Sequence, residues 1–218
     1  MEKKQDVSRA VIRRIPRYYR YVSTLRANGV QRISSRALAE SMGLTASQIR
    51  QDFNCFGGFG QQGYGYNVEK LCEGLSEILG IHRRRKAIIV GVGNIGRALL
   101  KNFDFKASGF ELICAFDVDK TVVGMGFGAA NIRDVAELYD YVDQHQPDIA
   151  VLTVPHGIAP EMARELVEHG IRGIWNFTGE DLHLEGLNVP VENVHFSDSL
   201  MTLCYAVDAY EENPSSSK

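Results

Sequence analysis

None of the four cysteines, Cys55, Cys72, Cys114 and Cys204, pairs with another at C-x-x-C spacing, and no histidine follows one at zinc-site spacing. A structural zinc site is not expected. Cys72, Cys114 and Cys204 lie in apolar patterns and read as small buried hydrophobes. No apolar run approaches the roughly 18 residues that a membrane span needs. The opening MEKKQDVSRAVIRR has charge but no apolar secretion core after it. The expectation is a cytoplasmic chain with neither metal nor membrane partner.

Net charge is scarce too, at −3 for 218 residues, but the small sum hides a division. Residues 1–86 hold 16 Lys+Arg against 7 Asp+Glu, so 16 − 7 = +9; the remainder holds 8 against 20, so 8 − 20 = −12. A basic part joined to an acidic part implies two domains with different partners, the basic one suited to a polyanion such as nucleic acid.

Val11, Ile15, Tyr18, Val22 and Leu25 mark one face of a helix. Pro16 either kinks it or restarts it, and Asn28-Gly29 ends it. A second helix, capped by Ser34 or Ser35, carries Ala37, Leu38 and Met42 and breaks at Gly43. In the third, Thr45 and Gln48 form a T-x-x-Q capping box, with Leu44 and Ile49 at the positions of a hydrophobic staple. Helix, glycine turn and capped helix make a helix-turn-helix layout, although an ordinary helical bundle would show the same pattern. Thr45, Ala46, Ser47, Gln48, Arg50 and Gln51 are the candidates to meet bases or phosphates. Residues 56–66 then set five glycines among aromatics. This fits a hairpin wing whose tip, Gly60, Gln61, Gln62 and Gly63, enters a groove of DNA; a phosphate-binding glycine tip or a plain loop stays open. Val68 to Leu79 is a further amphipathic helix.

Ala87-Ile88-Ile89-Val90 is a short apolar run suited to a buried parallel strand. It leads into Gly91-Val92-Gly93-Asn94-Ile95-Gly96, a G-x-G-x-x-G loop that opens a helix at Arg97-Ala98-Leu99-Leu100. A second strand, 111–116, ends in Asp117, whose carboxylate would take ribose hydroxyls and repel a 2′-phosphate, favouring NAD(H). A helix over 134–141, a strand over 149–154, a helix over 160–169 and a strand over 173–177 continue the β-α-β rhythm of a doubly wound parallel sheet. The expected coenzyme residues are Gly91, Val92, Gly93, Asn94, Ile95, Gly96, Asp117, Val118, Val154, Pro155, His156 and Asn176. A very apolar helix around 199–207 needs a partner surface. A dehydrogenase would need an acid/base residue, and His156 is the best placed histidine. No His–Asp or Ser–Lys constellation accompanies it, so the nucleotide reads as a signal rather than a reactant.

These parts together resemble the Rex family of redox-sensing transcriptional repressors. The resemblance runs from about Ile12 to Tyr205. It rests on Ile15-Pro16 with Tyr18 and Arg20, Ile33-Ser34-Ser35, the stretch Gly43 to Phe53, Phe56-Gly57 with Gly60, Gly63-Tyr64-Gly65-Tyr66, the stretch Gly91 to Leu99, Ala115 to Asp119, and Gly173-Ile174 with Asn176-Phe177. It implies a homodimer with an N-terminal winged helix-turn-helix domain over 1–82 and a C-terminal Rossmann domain over 83–196. It further implies a swapped helix over 197–212 and a disordered tail over 213–218. Such a dimer binds a palindromic double-stranded operator when apo or with NAD+, and NADH releases it. The family's inter-subunit contact falls on Arg20 and Tyr18, but its acid partner falls at His195, with Glu192 or Asp198 as substitutes. Gln51 and Gln62 stand where many members carry a cation, and Asn102 stands where some carry a tyrosine.

Overall fold

The computed structural model describes residues 7–61, 64–128 and 130–212. The chain forms two compact units, Met1–Arg83 and Arg84–Lys218.

In the first unit, helix α1 (Arg9–Ala27) is capped by Ser8 and passes through Pro16 without a restart. Its Ile15, Tyr18 and Val22 are buried. After strand β1 (Arg32–Ile33), Ser34 caps α2 (Ser35–Met42), resolving the Ser34/Ser35 alternative, and left-handed Gly43 terminates it. Helix α3 (Ala46–Asn54) starts at Thr45, whose hydroxyl accepts from the Gln48 N–H. Leu44 and Ile49 join the core, as a staple requires. Strands β2 (Gly60–Gln61) and β3 (Gly65–Asn67) form a hairpin, and β3 also pairs with β1, giving the antiparallel order β1-β3-β2. Helix α4 (Val68–Leu79) packs on α1. Phe53 of α3 is the hub: Tyr18, Phe59 and Tyr66 meet its ring edge-to-face at 5.3, 5.4 and 5.2 Å. This is a winged helix-turn-helix unit, with wing and third helix fixed to one aromatic cluster.

The second unit begins with β4 (Arg85–Val90), α5 (Asn94–Asn102) and β5 (Phe110–Asp117). Then come β6 (Gly126–Phe127), β7 (Ala130–Asp134), a short 3-10 turn, α6 (Leu138–His145), β8 (Ile149–Leu152) and α7 (Ala159–Glu168). Strands β9 (Gly173–Asn176) and β10 (Val191–Asn193) and helix α8 (Phe196–Glu212) complete it. The sheet order is β10-β9-β8-β4-β5-β7-β6, parallel except for β6. It is the doubly wound Rossmann order, with the switch between β4 and β8. Buried on both faces, β4 sends Ile88 and Val90 into the core beneath α6 and α7, and Ile89 into the core on the α5 side.

Several elements differ from the sequence reading. The expected helix over 134–141 begins only at Leu138, because 130–134 is the third parallel strand and Asp134 caps the 3-10 turn after it. Strand β8 stops at Leu152, two residues early. Strands β1, β6 and β10, of two or three residues, have too little length for an alternating pattern. Helix α8 has 17 residues, well beyond the apolar run 199–207 and within one residue of the 197–212 that the resemblance implies, and buries none of them, so Cys204 is exposed rather than a buried hydrophobe. Its exposed Phe196, Leu200, Leu203, Val207 and Tyr210 recur at steps of four, three, four and three, the stripe of a helix that packs on another helix. The tail at 213–218 lies outside the described residues.

Candidate functional site

The outward face of α3 presents Ser47, Arg50, Gln51 and Asn54, all exposed. Asn54 was not anticipated; its place seven residues after Ser47 puts it on that face. Thr45 is exposed at the helix start, its hydroxyl engaged as the cap. Three expected DNA-facing side chains stand differently. Ala46 is half-buried against the core. Gln48 does not close the capping box; its amide donates to Asp52 Oδ1 at 2.9 Å. Arg50 Nη1 donates to Ser35 Oγ at 3.2 Å, tying α3 to the start of α2. In the wing, Gly60 and Gln61 are paired with β3, Tyr64 is exposed, and the Arg32 guanidinium holds the Tyr64 carbonyl. Gln62 and Gly63 lie outside the described residues.

Behind that face lies a polar knot the sequence did not reveal. Asp52, 1% exposed, accepts from Arg14 Nε and Nη2 at 2.6 and 2.7 Å and from the Tyr18 hydroxyl at 2.6 Å, besides Gln48. Burial pushes the Asp52 carboxyl up, but the bonds from Arg14, Tyr18 and Gln48 outweigh it and hold it below the ordinary carboxylate value. Burial and the same contact push the Tyr18 phenol up. Tyr18, expected at a subunit contact, is therefore a correction: its side chain is fully buried in its own unit and occupied by Asp52. Arg20 is exposed, as are His195 and Asp198 at the start of α8.

In the second unit the turn after β4 is dictated by backbone crowding. A Cβ on Gly91 would lie 2.7 Å from the Thr153 carbonyl, and one on Gly96 would lie 2.1 Å from the Gly91 carbonyl. Thr153 Oγ1 donates to that Gly91 carbonyl at 2.6 Å. Gly93, by contrast, has nothing within 4 Å of its Cβ position, and no side chain caps α5 there. Free N–H groups at the start of a helix, facing open space, form a cradle for a diphosphate. Asp117 accepts from the Val92 N–H and, at 2.8 Å, from the Asp119 N–H. Each carboxylate oxygen keeps a lone pair for a ribose hydroxyl.

A cleft of about 480 Å³ opens at this edge, lined by Gly91, Gly93, Asn94, Ile95, Asp117, Val118, Val154 and Pro155 among the expected residues. The sequence reading missed Phe116, Val135, Thr153, Ile158 and Met162, which also line it. Exposed Val118 and Ile158 offer apolar walls suited to a flat heterocycle. Four expected residues stand outside the lining. Val92 is buried on the α5 side and reaches the cleft only through its backbone bond to Asp117. Gly96 is buried by helix–turn packing. His156 is largely exposed and its Nδ1 lies 2.9 Å from Glu180 Oε2. Asn176, 1% exposed, donates to the Glu180 carbonyl and to Asn193 Oδ1 and accepts from Thr178, so its amide braces the ends of β9 and β10. The Gly157 N–H, followed by His156, holds Glu180 below the ordinary carboxylate value.

Comparison with known proteins agrees with this division. Residues 6–54 match the family described as "Putative DNA-binding protein N-terminus", and residues 82–179 match "CoA binding domain". A "Redox-sensing transcriptional repressor Rex" of Caldicellulosiruptor saccharolyticus is 50% identical over 95% of this chain and 94% of its own. One from Clostridium perfringens strain SM101 is 47% identical over 95% and 98%. The chain belongs to the Rex family. Among solved structures, RSP in complex with β-NAD+ and operator DNA is 45% identical, with a TM-score of 0.86 over 97% of this chain and 99% of that one. RSP with β-NADH is 44% identical, with a TM-score of 0.86 over 95% and 97%. For family membership and for the two-part α/β fold, the resemblance read from the sequence is borne out.

Proposed function

We propose that this chain is a transcriptional repressor that senses the NADH/NAD+ ratio. It binds a palindromic operator when apo or with NAD+ and leaves it with NADH. The observation that carries the reading is a winged helix-turn-helix unit and a dinucleotide cleft in one chain, 95–97% of which aligns with RSP, whose structures hold β-NAD+ with operator DNA and, separately, β-NADH.

Ser47, Arg50, Gln51 and Asn54 read the major groove, with Thr45 and the α3 start near phosphate and the wing tip 60–63 in the adjacent groove. Arg50 keeps its remaining N–H donors for DNA beside its bond to Ser35, whereas the Gln48 amide N–H is turned to Asp52. The diphosphate lies on the α5 start at Gly93 and Asn94, the adenosine ribose on Asp117, and the adenine between Val118 and Ile158. The Asp117 carboxylate disfavours a 2′-phosphate by like charge, so NAD(H) is preferred. The coenzyme is a ligand, not a reactant: His156, the best candidate acid or base, lies outside the cleft lining. The apolar stripe of α8 packs on a second copy, making the homodimer that a palindromic site requires. Arg20, His195 and Asp198 are the residues we assign to transmitting the coenzyme state in that assembly.

Fluorescence anisotropy on a palindromic promoter fragment tests the reading. NADH is expected to release the protein and NAD+ is not. Equal affinity of NADH for the free and operator-bound dimers would sink it, since a ligand shifts only an equilibrium whose states it distinguishes. Asp117→Ala should weaken NADH by about tenfold or more, given ~1.5–3 kcal/mol for a hydrogen bond to a charged group, and leave apo DNA binding intact.

A further inference from the structure

The crossover from β5 to β7 contains no helix among its described residues; it runs through turns to Met125 and then β6. Crossovers in doubly wound sheets ordinarily lay a helix on the sheet. Here a pocket of about 300 Å³ opens beside α5 instead. Buried Val92, Val122 and Ile132 form its apolar part with Met125 and Phe127, and exposed Arg97, Lys101 and Thr121 line its polar side. It shares no lining residue with the coenzyme cleft.

The charges are arranged for an anion. Arg97 and Lys101 are four residues apart on α5 and so lie side by side. Arg97 uses its Nε on the Val92 carbonyl at 2.9 Å, and Lys101 has no side-chain partner among the described residues. Of the neighbouring acids, Asp134 pairs with Lys120, while Asp119, held ionised by the Thr121 N–H and hydroxyl, offsets part of the Arg97 charge, so the excess positive charge of the pocket rests on Lys101. The volume is too small for a second dinucleotide and suits a compact ligand.

We propose that this pocket binds a small organic monocarboxylate, its head between Arg97 and Lys101 and its apolar body against Val122, Ile132 and Phe127. Val92 joins the pocket to the glycine loop, since its N–H donates to Asp117 and its carbonyl accepts from Arg97. Occupancy therefore changes coenzyme affinity, and the coenzyme changes occupancy by the same factor. This coupling rests on the coenzyme reading above; direct binding does not.

The test uses the full chain with 3-phenylpropionate as probe and 3-phenylpropanol as its uncharged control, by saturation-transfer NMR and calorimetry. The acid should saturate one site per chain and bind at least fivefold more tightly than the alcohol. Lys101→Gln should weaken the acid about fivefold, the size of one contact charge pair in water, and leave the alcohol unchanged. Met125→Trp, at an exposed wall position, should fill the pocket and abolish both. Saturating NADH should not displace the acid, and the acid should shift NADH affinity at least twofold. No saturable binding, equal affinity for acid and alcohol, indifference to both variants, or displacement by NADH would each overturn the site. An unchanged NADH affinity with the pocket filled would overturn the coupling. A chain that binds the acid but no coenzyme would sink the coenzyme reading and leave the pocket standing.

Discussion

Removing the Asp52 carboxylate should unfasten α3 from α1 and lower the stability of the N-terminal unit by about 3 kcal/mol. Asp52→Ala strands the Arg14 guanidinium and leaves a buried Tyr18 hydroxyl without its acceptor at 2.6 Å. Breaking a buried pair from one side costs roughly 3–5 kcal/mol. The Arg14 side chain is still 27% exposed and recovers some hydration, which favours the lower end. In a domain of this size each kcal/mol moves the melting point by about 4–8 °C, so a fall of about 12–24 °C is expected. Differential scanning calorimetry of the full chain reads it, and NADH affinity, a property of the other unit, serves as control. The double variant Arg14→Met with Asp52→Leu should recover most of the loss, because apolar replacement of a buried pair is often neutral. The folded pKa of Asp52 lies below its unfolded value. Its contribution is therefore complete above the unfolded pKa of about 3.9 and is lost as pH falls through the folded value. The stability difference between wild type and Asp52→Ala should be flat from about pH 5 to 7 and shrink below about pH 4. A melting shift under about 4 °C at pH 7 would refute this account, since it implies less than ~1 kcal/mol.

Three further outcomes are expected. Gly96→Ala should destabilise the C-terminal unit by about 1–3 kcal/mol, because the new Cβ has no room, whereas Gly93→Ala should melt like wild type yet lose NADH affinity, read by calorimetry and nucleotide fluorescence. Leu200→Glu with Leu203→Glu should shift the protein toward monomer in sedimentation velocity, each leucine withdrawing about 1.5–3 kcal/mol of burial from an α8 interface; an unchanged sedimentation coefficient would place the interface elsewhere. Arg50→Ala should weaken operator binding by about 5- to 100-fold in anisotropy, given ~1–3 kcal/mol for a good base contact, with NADH affinity unchanged.

What was legible in the chain was local. Ser34, Thr45 and the staple of Leu44 and Ile49 act within a few residues, so their spacing predicts where α2 and α3 begin. The G-x-G-x-x-G turn is equally local, and a Cβ at Gly91 or Gly96 would clash with the turn or with Thr153 beside it. What was illegible depends on partners distant in sequence. The capping-box pattern makes Gln48 look like a reciprocal cap, but Asp52 on the next turn, held by Arg14 and Tyr18 from another helix, captures its amide. The helical period puts Tyr18 on the apolar face of α1, but only the fold shows that its hydroxyl meets Asp52 there rather than a second subunit. Asn176 sits at a strand end, where a coenzyme contact is the default, yet Asn193, 17 residues on, takes its amide.

The sequence by itself determined that a basic helical domain precedes a nucleotide-type α/β domain, because charge, helical period, caps and the glycine loop are written in neighbouring residues. Only the tertiary structure decided which side chains face outward, because that depends on which elements meet. It put Asp52 on the buried face of α3 and Asn54 on the exposed face. It left α8 uncovered, and beside α5 it left a cationic pocket where a crossover helix would otherwise lie.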